Sequence, residues 1–171
     1  MDLMELKPYE FTDECRARFV DWATGLIHDD AQDIRNDPIH FTTLAKPLSE
    51  CRIALVSTGG LRLRSQAPFD VLKSDGDWTI RAIPSATRRE EIQIDHTHYN
   101  HGDADDDVNC MFPIERVRDL VSTGFVGSVT ETFFGMMGFI PNGTHVVEEA
   151  GPEIARRLKA EGADIVVLTP S

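Results

Sequence analysis

The chain has 171 residues and a mass of 19.1 kDa, and 41% of its residues are hydrophobic, which suffices for one domain with a sizeable core and not for two ordinary ones. Seventeen Lys and Arg against twenty-nine Asp and Glu give a net charge of −12, which makes nucleic acid and anionic membrane surfaces poor partners. Apolar runs such as Ile165-Val166-Val167-Leu168 fall far short of a bilayer span, and the acidic start Met1-Asp2-Leu3-Met4-Glu5 is unlike a signal peptide, so the expectation is a cytoplasmic protein that meets no membrane.

Phe11, Cys15, Phe19 and Trp22 recur at helical spacing and predict an amphipathic helix over residues 13–25, capped by Thr12. Residues 26–47 show no sustained period and read as a loop or arm. Residues 53–57 form a short β-branched run suited to a parallel strand buried on both faces, and Thr58-Gly59-Gly60 follows as a glycine turn. Residues 78–83, ended by Pro84, and 92–94 predict two further strands. Pro113, then Ile114, Val117, Leu120 and Val121 on one face and Gly124 at the end, describe a compact helix. Residues 125–139 are rich in Gly, Phe and Met and read as core or as an apolar interface. A helix is predicted over 144–161, kinked or divided at Gly151-Pro152, and a strand over 165–168. This alternation predicts an α/β fold of the open three-layer type, with an at least partly parallel sheet flanked by helices. Residues 1–50 are expected to form a helix and loop arm, and residues 51–171 the α/β domain.

Three cysteines, Cys15, Cys51 and Cys110, are odd in number and widely spaced, which fits neither a disulfide framework nor a cysteine zinc site. Cys15 and Cys51 read as small core residues. Three of the six histidines fall in the window Asp95-His-Thr-His-Tyr-Asn-His-Gly-Asp103. On an extended backbone His96 and His98 share a face, and a turn at 100–102 brings His101 or Asp103 toward them. Such a cluster suits a divalent metal held by His96, His98 and His101, a catalytic polar site, or a solvated loop. The acidic run 103–107 lacks the glycine and distal glutamate of a calcium loop. Thr58-Gly59-Gly60 could offer amides to an anion, but no dinucleotide or P-loop motif is present and no nucleotide cofactor is expected.

Several stretches together resemble component B of the glycine, sarcosine and betaine reductases and the D-proline reductase subunits: Ile53-Ala-Leu-Val-Ser-Thr-Gly-Gly60, the histidine window, Val108-Asn-Cys-Met-Phe-Pro-Ile-Glu-Arg116, Met137-Gly-Phe-Ile-Pro-Asn142 and Gly162-Ala-Asp-Ile-Val-Val-Leu-Thr-Pro170. The resemblance covers the chain from about Cys51 onward. It implies a selenol- or thiol-dependent reductase acting on a small amino-acid-derived substrate, with selenocysteine or cysteine just beyond Ser171, where this sequence ends. His96, His98, His101 and Asp103 are then candidates for the general acid or for orienting substrate, and Thr58, Gly59, Gly60, Thr169 and Ser171 for binding it. The expected partners are other reductase subunits or a thiol electron donor, and a homo-oligomer that covers the exposed side of strand 165–168. Two alternatives stand beside this. One is a metal-dependent hydrolase, because His96-Thr97-His98-Tyr99-Asn100-His101 resembles the metallo-β-lactamase signature with Asn100 in place of its aspartate, and His145 and Asp164 as later ligands. The other is a non-catalytic binding or assembly subunit.

Overall fold

The computed structural model describes residues 42–170, within a compact unit that runs from Thr43 to Ser171. The predicted helix over 13–25, Cys15 and Ser171 lie outside the described residues.

The sheet is built around β1 (Arg52–Ser57), whose residues 53–57 are all buried. β7 (Ile165–Thr169) runs parallel along one edge of β1 in continuous register from Ile53↔Ile165 to Ser57↔Thr169. The other edge is shared by two short parallel strands, β5 (Ser128–Val129) beside Arg52 and Ile53, and β6 (Thr132–Gly135) beside Val56 and Ser57. β3 (Arg81–Pro84) closes that side antiparallel to β6, so the sheet is mixed. A separate antiparallel pair joins β2 (Leu61–Leu63) to β4 (Ile92–Ile94).

Side-chain alternation assigns the layers. Phe134 is in register with Val56, and the Arg157 guanidinium lies over its ring at 5.9 Å, which places this face under α3 (Gly151–Ala160). Phe133 projects the opposite way and meets Phe112 edge-on at 6.0 Å, just before α2 (Ile114–Ser122). Helices therefore flank both faces of a partly parallel sheet, as the sequence pattern predicts. The α1 helix, Gly102–Asp106, is a single short turn that begins at the end of the histidine window.

Two elements differ from expectation. The strand predicted over 78–83 begins only at Arg81, because the Asp77 carboxylate accepts from the amide and hydroxyl of Thr79 and holds the chain in a side-chain-capped turn. Trp78 instead stacks on His145 at 3.7 Å and donates from Nε1 to Glu149 at 3.2 Å. The helix predicted over 144–161 is not divided at Gly151-Pro152. A wide π-turn over Val146–Ala150, closed by the Gly151 amide on the Val146 carbonyl, carries Pro152 into the first turn of α3, where its missing N–H costs little. The Phe/Met/Gly segment agrees with the core reading over Phe133, Phe134, Met136 and Met137, which are buried, while Phe125 and Phe139 at its ends are exposed; β5 and β6 run through it.

α3 leaves part of its sheet face uncovered. An apolar groove of about 690 Å³ lies between Ile154 and Leu158 of α3 and Val56, Val166 and Leu168 of the sheet, and Leu168 is 71% exposed. Among the described residues no helix is long and apolar enough to cross a membrane.

Candidate functional site

The carboxyl ends of β1, β6 and β7 meet at the turn formed by Ser57 to Gly60. Ser57 Oγ lies 3.2 Å from the Thr169 carbonyl and accepts from the Gly59 amide at 3.2 Å. The Thr58 amide donates to the Thr169 carbonyl at 3.1 Å, the Met136 amide to Ser57 at 2.9 Å, and the Gly60 amide to Met136 at 2.9 Å. Gly60 has φ +73°, a left-handed conformation that a side chain would strain, and its missing Cβ faces the Asp95 backbone at 3.2 Å. All three amides from Thr58 to Gly60 are thus bonded within the protein, two to backbone carbonyls and Gly59 to Ser57 Oγ. The sequence expectation that this turn offers them to an anion is corrected: the Thr169 and Met136 carbonyls, distant in sequence, arrive beside the turn and take the Thr58 and Gly60 amides, and Ser57 Oγ takes that of Gly59.

The histidine window packs on the same turn. The Asp95 amide donates to the Gly60 carbonyl at 2.9 Å, and Tyr99 Oη donates to the Gly59 carbonyl at 3.0 Å. Burial pushes the Tyr99 phenol up to about 12, so it serves as a neutral donor. The Tyr99 ring covers His96 at a centroid distance of 4.5 Å. His96 is 5% exposed, and its Nδ1 accepts from the His98 amide at 3.1 Å, which puts the proton of the neutral ring on Nε2. Burial lowers its pKa, and the neighbouring His98 and His101 lower it further. Below the window the Asp95 carboxylate takes a bidentate bond from the buried Arg62 guanidinium and the amide of Phe69 at 3.1 Å. That pair anchors β4 to β2 and sets where His96 begins.

The histidines do not form one cluster. β4 stops at Ile94, so His96 and His98 are not neighbours on one extended strand, and their rings meet edge-on at 5.9 Å. His98 stacks on Phe139 at 3.6 Å. His101 precedes α1 and pairs with Asp105 at 2.7 Å, while Asp103 is exposed in the first turn of that helix. His145 and Asp164 are held elsewhere, His145 by Glu149 at 2.7 Å and Asp164 by Lys46 at 2.8 Å. Among the described residues no group of three or more His, Cys, Asp or Glu side chains is placed to hold a metal ion. The residues expected as metal ligands do not fit that group. The hydrolase alternative finds no ligand set among them.

Two buried side-chain polar atoms lack a hydrogen-bond partner among the described residues, His96 Nε2 and Thr169 Oγ1. Both belong to residues packed on the Ser57–Gly60 turn, Thr169 through its carbonyl and His96 through Asp95 and Tyr99. Buried polar groups are nearly always satisfied in folded proteins, so two orphans beside one turn at the carboxyl edge of a parallel sheet make this edge the candidate site. Thr58 and Thr169 also line the upper end of the apolar groove. Of these groups, sequence reasoning did not select Tyr99. Its one signal is an amphipathic ring inside the histidine window, and only the fold brings that hydroxyl to Gly59.

Comparison with known proteins agrees with the resemblance. The sequence model of the family described as glycine/sarcosine/betaine reductase selenoprotein B matches residues 33–171. D-proline reductase subunit gamma of Acetoanaerobium sticklandii is 36% identical over 132 residues, which cover 77% of this chain and 53% of that protein. Glycine reductase complex component B subunit gamma of Carboxydothermus hydrogenoformans is 30% identical, over 72% of this chain and 29% of that protein. Betaine reductase complex component B subunit beta of Peptoclostridium acidaminophilum is 28% identical, over 79% of this chain and 31% of that protein. The chain thus spans about half the length of the first of these relatives and under a third of the other two. No solved structure matches it. On the family match and the shared segments, the chain belongs to the glycine/sarcosine/betaine reductase selenoprotein B family.

Proposed function

We propose that this chain is a subunit or fragment of a selenol- or thiol-dependent reductase of small amino-acid-derived substrates, with its redox residue supplied just after Ser171 in the full-length protein. The observation that carries this reading is the pair of orphaned polar atoms, His96 Nε2 and Thr169 Oγ1, flanking the Ser57–Gly60 turn. β7 ends at Thr169, whose carbonyl is bonded to the Thr58 amide at 3.1 Å, and this supports a redox residue shortly after β7 acting near that turn. A selenolate or thiolate there would sit at the edge where open α/β sheets place reactive groups, with His96 as a neutral donor nearby.

The groove along Val166 and Leu168 supports assembly with other reductase subunits or a second copy, because burying such a face is favourable at about 25 cal/mol per Å² of apolar surface. The test is to sequence the encoding locus past codon 171 and assay the full-length product for substrate reduction with a dithiol donor. A UGA or cysteine codon, with reduction lost on its replacement by serine, is expected. A frame with neither codon overturns the reading.

A further inference from the structure

β7 is paired with β1 along its whole length, and among the described residues its other edge has no strand partner. Its sequence is nonetheless that of an interior strand. Ile165-Val166-Val167-Leu168-Thr169 carries no charge, proline or bulge, the devices by which sheets protect a free edge. Alternation sends the Val166 and Leu168 side chains to the face of Ala54 and Val56, their partners in register, which is the face under α3. There Val166 is 42% and Leu168 71% exposed, and the groove between them and Ile154 and Leu158 of α3 stays open. The backbone carries a matching demand. The Thr58 amide bonds the Thr169 carbonyl, so by alternation the amides of Val166 and Leu168 point to the free edge.

The handedness of the chain says what covers them. β6 and β7 run parallel to β1 on its opposite edges, so the segment holding α3 is a crossover from β6 to β7 over β1. Crossovers between parallel strands of one sheet are right-handed in about 98% of cases, so a further step in the same direction, from β7 to a strand on its free edge, lays its helix on the same face as α3. That position is the groove. A strand of five residues at about 3.3 Å each is spanned by a helix of about 11 residues at about 1.5 Å each, close to the 10 residues of α3. D-proline reductase subunit gamma of Acetoanaerobium sticklandii is matched over 53% of its length, so a polypeptide of that size has room for both elements. A second copy of this chain is the poorer occupant, because each copy brings a net charge of −12 to the contact. We propose that the groove seats an amphipathic helix of the same polypeptide, encoded after Ser171, which returns along α3 and delivers a parallel strand to the free edge of β7. The inference narrows the assembly reading of this face to one occupant, and it rests on the reductase reading only in that the full-length protein continues past Ser171.

The test compares amide hydrogen exchange at Val166 and Leu168 in the 171-residue chain and in the product of the reading frame continued past codon 171, with an in-frame UGA decoded as cysteine. Both amides should exchange freely in the short chain and gain about a hundredfold protection or more in the long one, unchanged on dilution. Leu168→Glu should leave the urea midpoint of the short chain unchanged, since that side chain is in solvent, and should lower that of the long product, where it buries a charge. Equal exchange in the two lengths, an unaltered midpoint for the long variant, or protection that needs high concentration or another subunit overturns the inference, as does a frame that ends at codon 171. If the long product carries the UGA or cysteine codon and reduces substrate while Val166 and Leu168 exchange freely, this inference falls and the reductase reading stands. If it protects them and holds neither codon, the reductase reading falls and this inference stands.

Discussion

Replacing Gly135 by alanine tests how tightly the site is built. Gly135 ends β6, opposite Ser57 of β1 and Arg81 of β3, and it is buried where the β2 backbone crosses. A Cβ there would overlap the Leu61 carbonyl oxygen and stand 2.9 Å from the Leu61 carbonyl carbon. The obstacle is backbone, so no side-chain rotation relieves it, and either β2 or β6 must move. Overpacking of this kind costs about 1–3 kcal/mol and at times more, and the backbone contact puts this site at about 3 kcal/mol. At about 3 °C per kcal/mol for a domain of this size, the midpoint of thermal unfolding should fall by roughly 10 °C. The displaced β6 would also release the bond from the Gly60 amide to Met136, loosening the turn that carries the site. The assay is thermal and urea unfolding followed by circular dichroism, with Gly143→Ala as control, since a Cβ at Gly143 meets nothing and should change stability by no more than about 0.5 kcal/mol. A loss under about 1 kcal/mol for Gly135→Ala would refute the packing argument.

Asp95→Asn strands the Arg62 guanidinium, whose side chain is 6% exposed, and should cost about 3–5 kcal/mol in urea unfolding; the double variant Arg62→Leu/Asp95→Leu should recover much of that loss, and equal damage in both would count against the stranded-charge account. Tyr99, one of two tyrosines in the chain, should ionise near 12 in an ultraviolet titration of tyrosinate absorbance. Because its folded value lies above the ordinary one of 10.0, the associated stability is fully present below pH 10 and is lost as pH rises through about 12. Tyr99→Phe should remove that late step and cost about 1 kcal/mol through the lost bond to Gly59, and a Tyr99 that titrates near 10 would contradict its burial.

Period and composition by themselves determined the α/β class, the buried strand running into Thr58-Gly59-Gly60, the helix after Pro113 and the strand at 165–168, because each is a local pattern that packing then reinforces. The family too was legible, since its shared stretches are linear runs of residues. Local pattern could not show that Asp77 would cap a turn and shorten β3, or that a π-turn would carry Pro152 without a break, because both depend on which hydrogen bonds compete at one place. The histidine window was visible as a concentration of chemistry, but its division among different partners was not. His98 finds Phe139 and His101 finds Asp105, and only His96 is buried under Tyr99 with a donor left over. Likewise the Thr58 and Gly60 amides, exposed donors on paper, are consumed by the carbonyls of Thr169 and Met136, residues more than seventy positions away. A sequence states which groups a chain carries; whether a buried donor is satisfied depends on what distant strands bring beside it, and that was decided by tertiary structure alone.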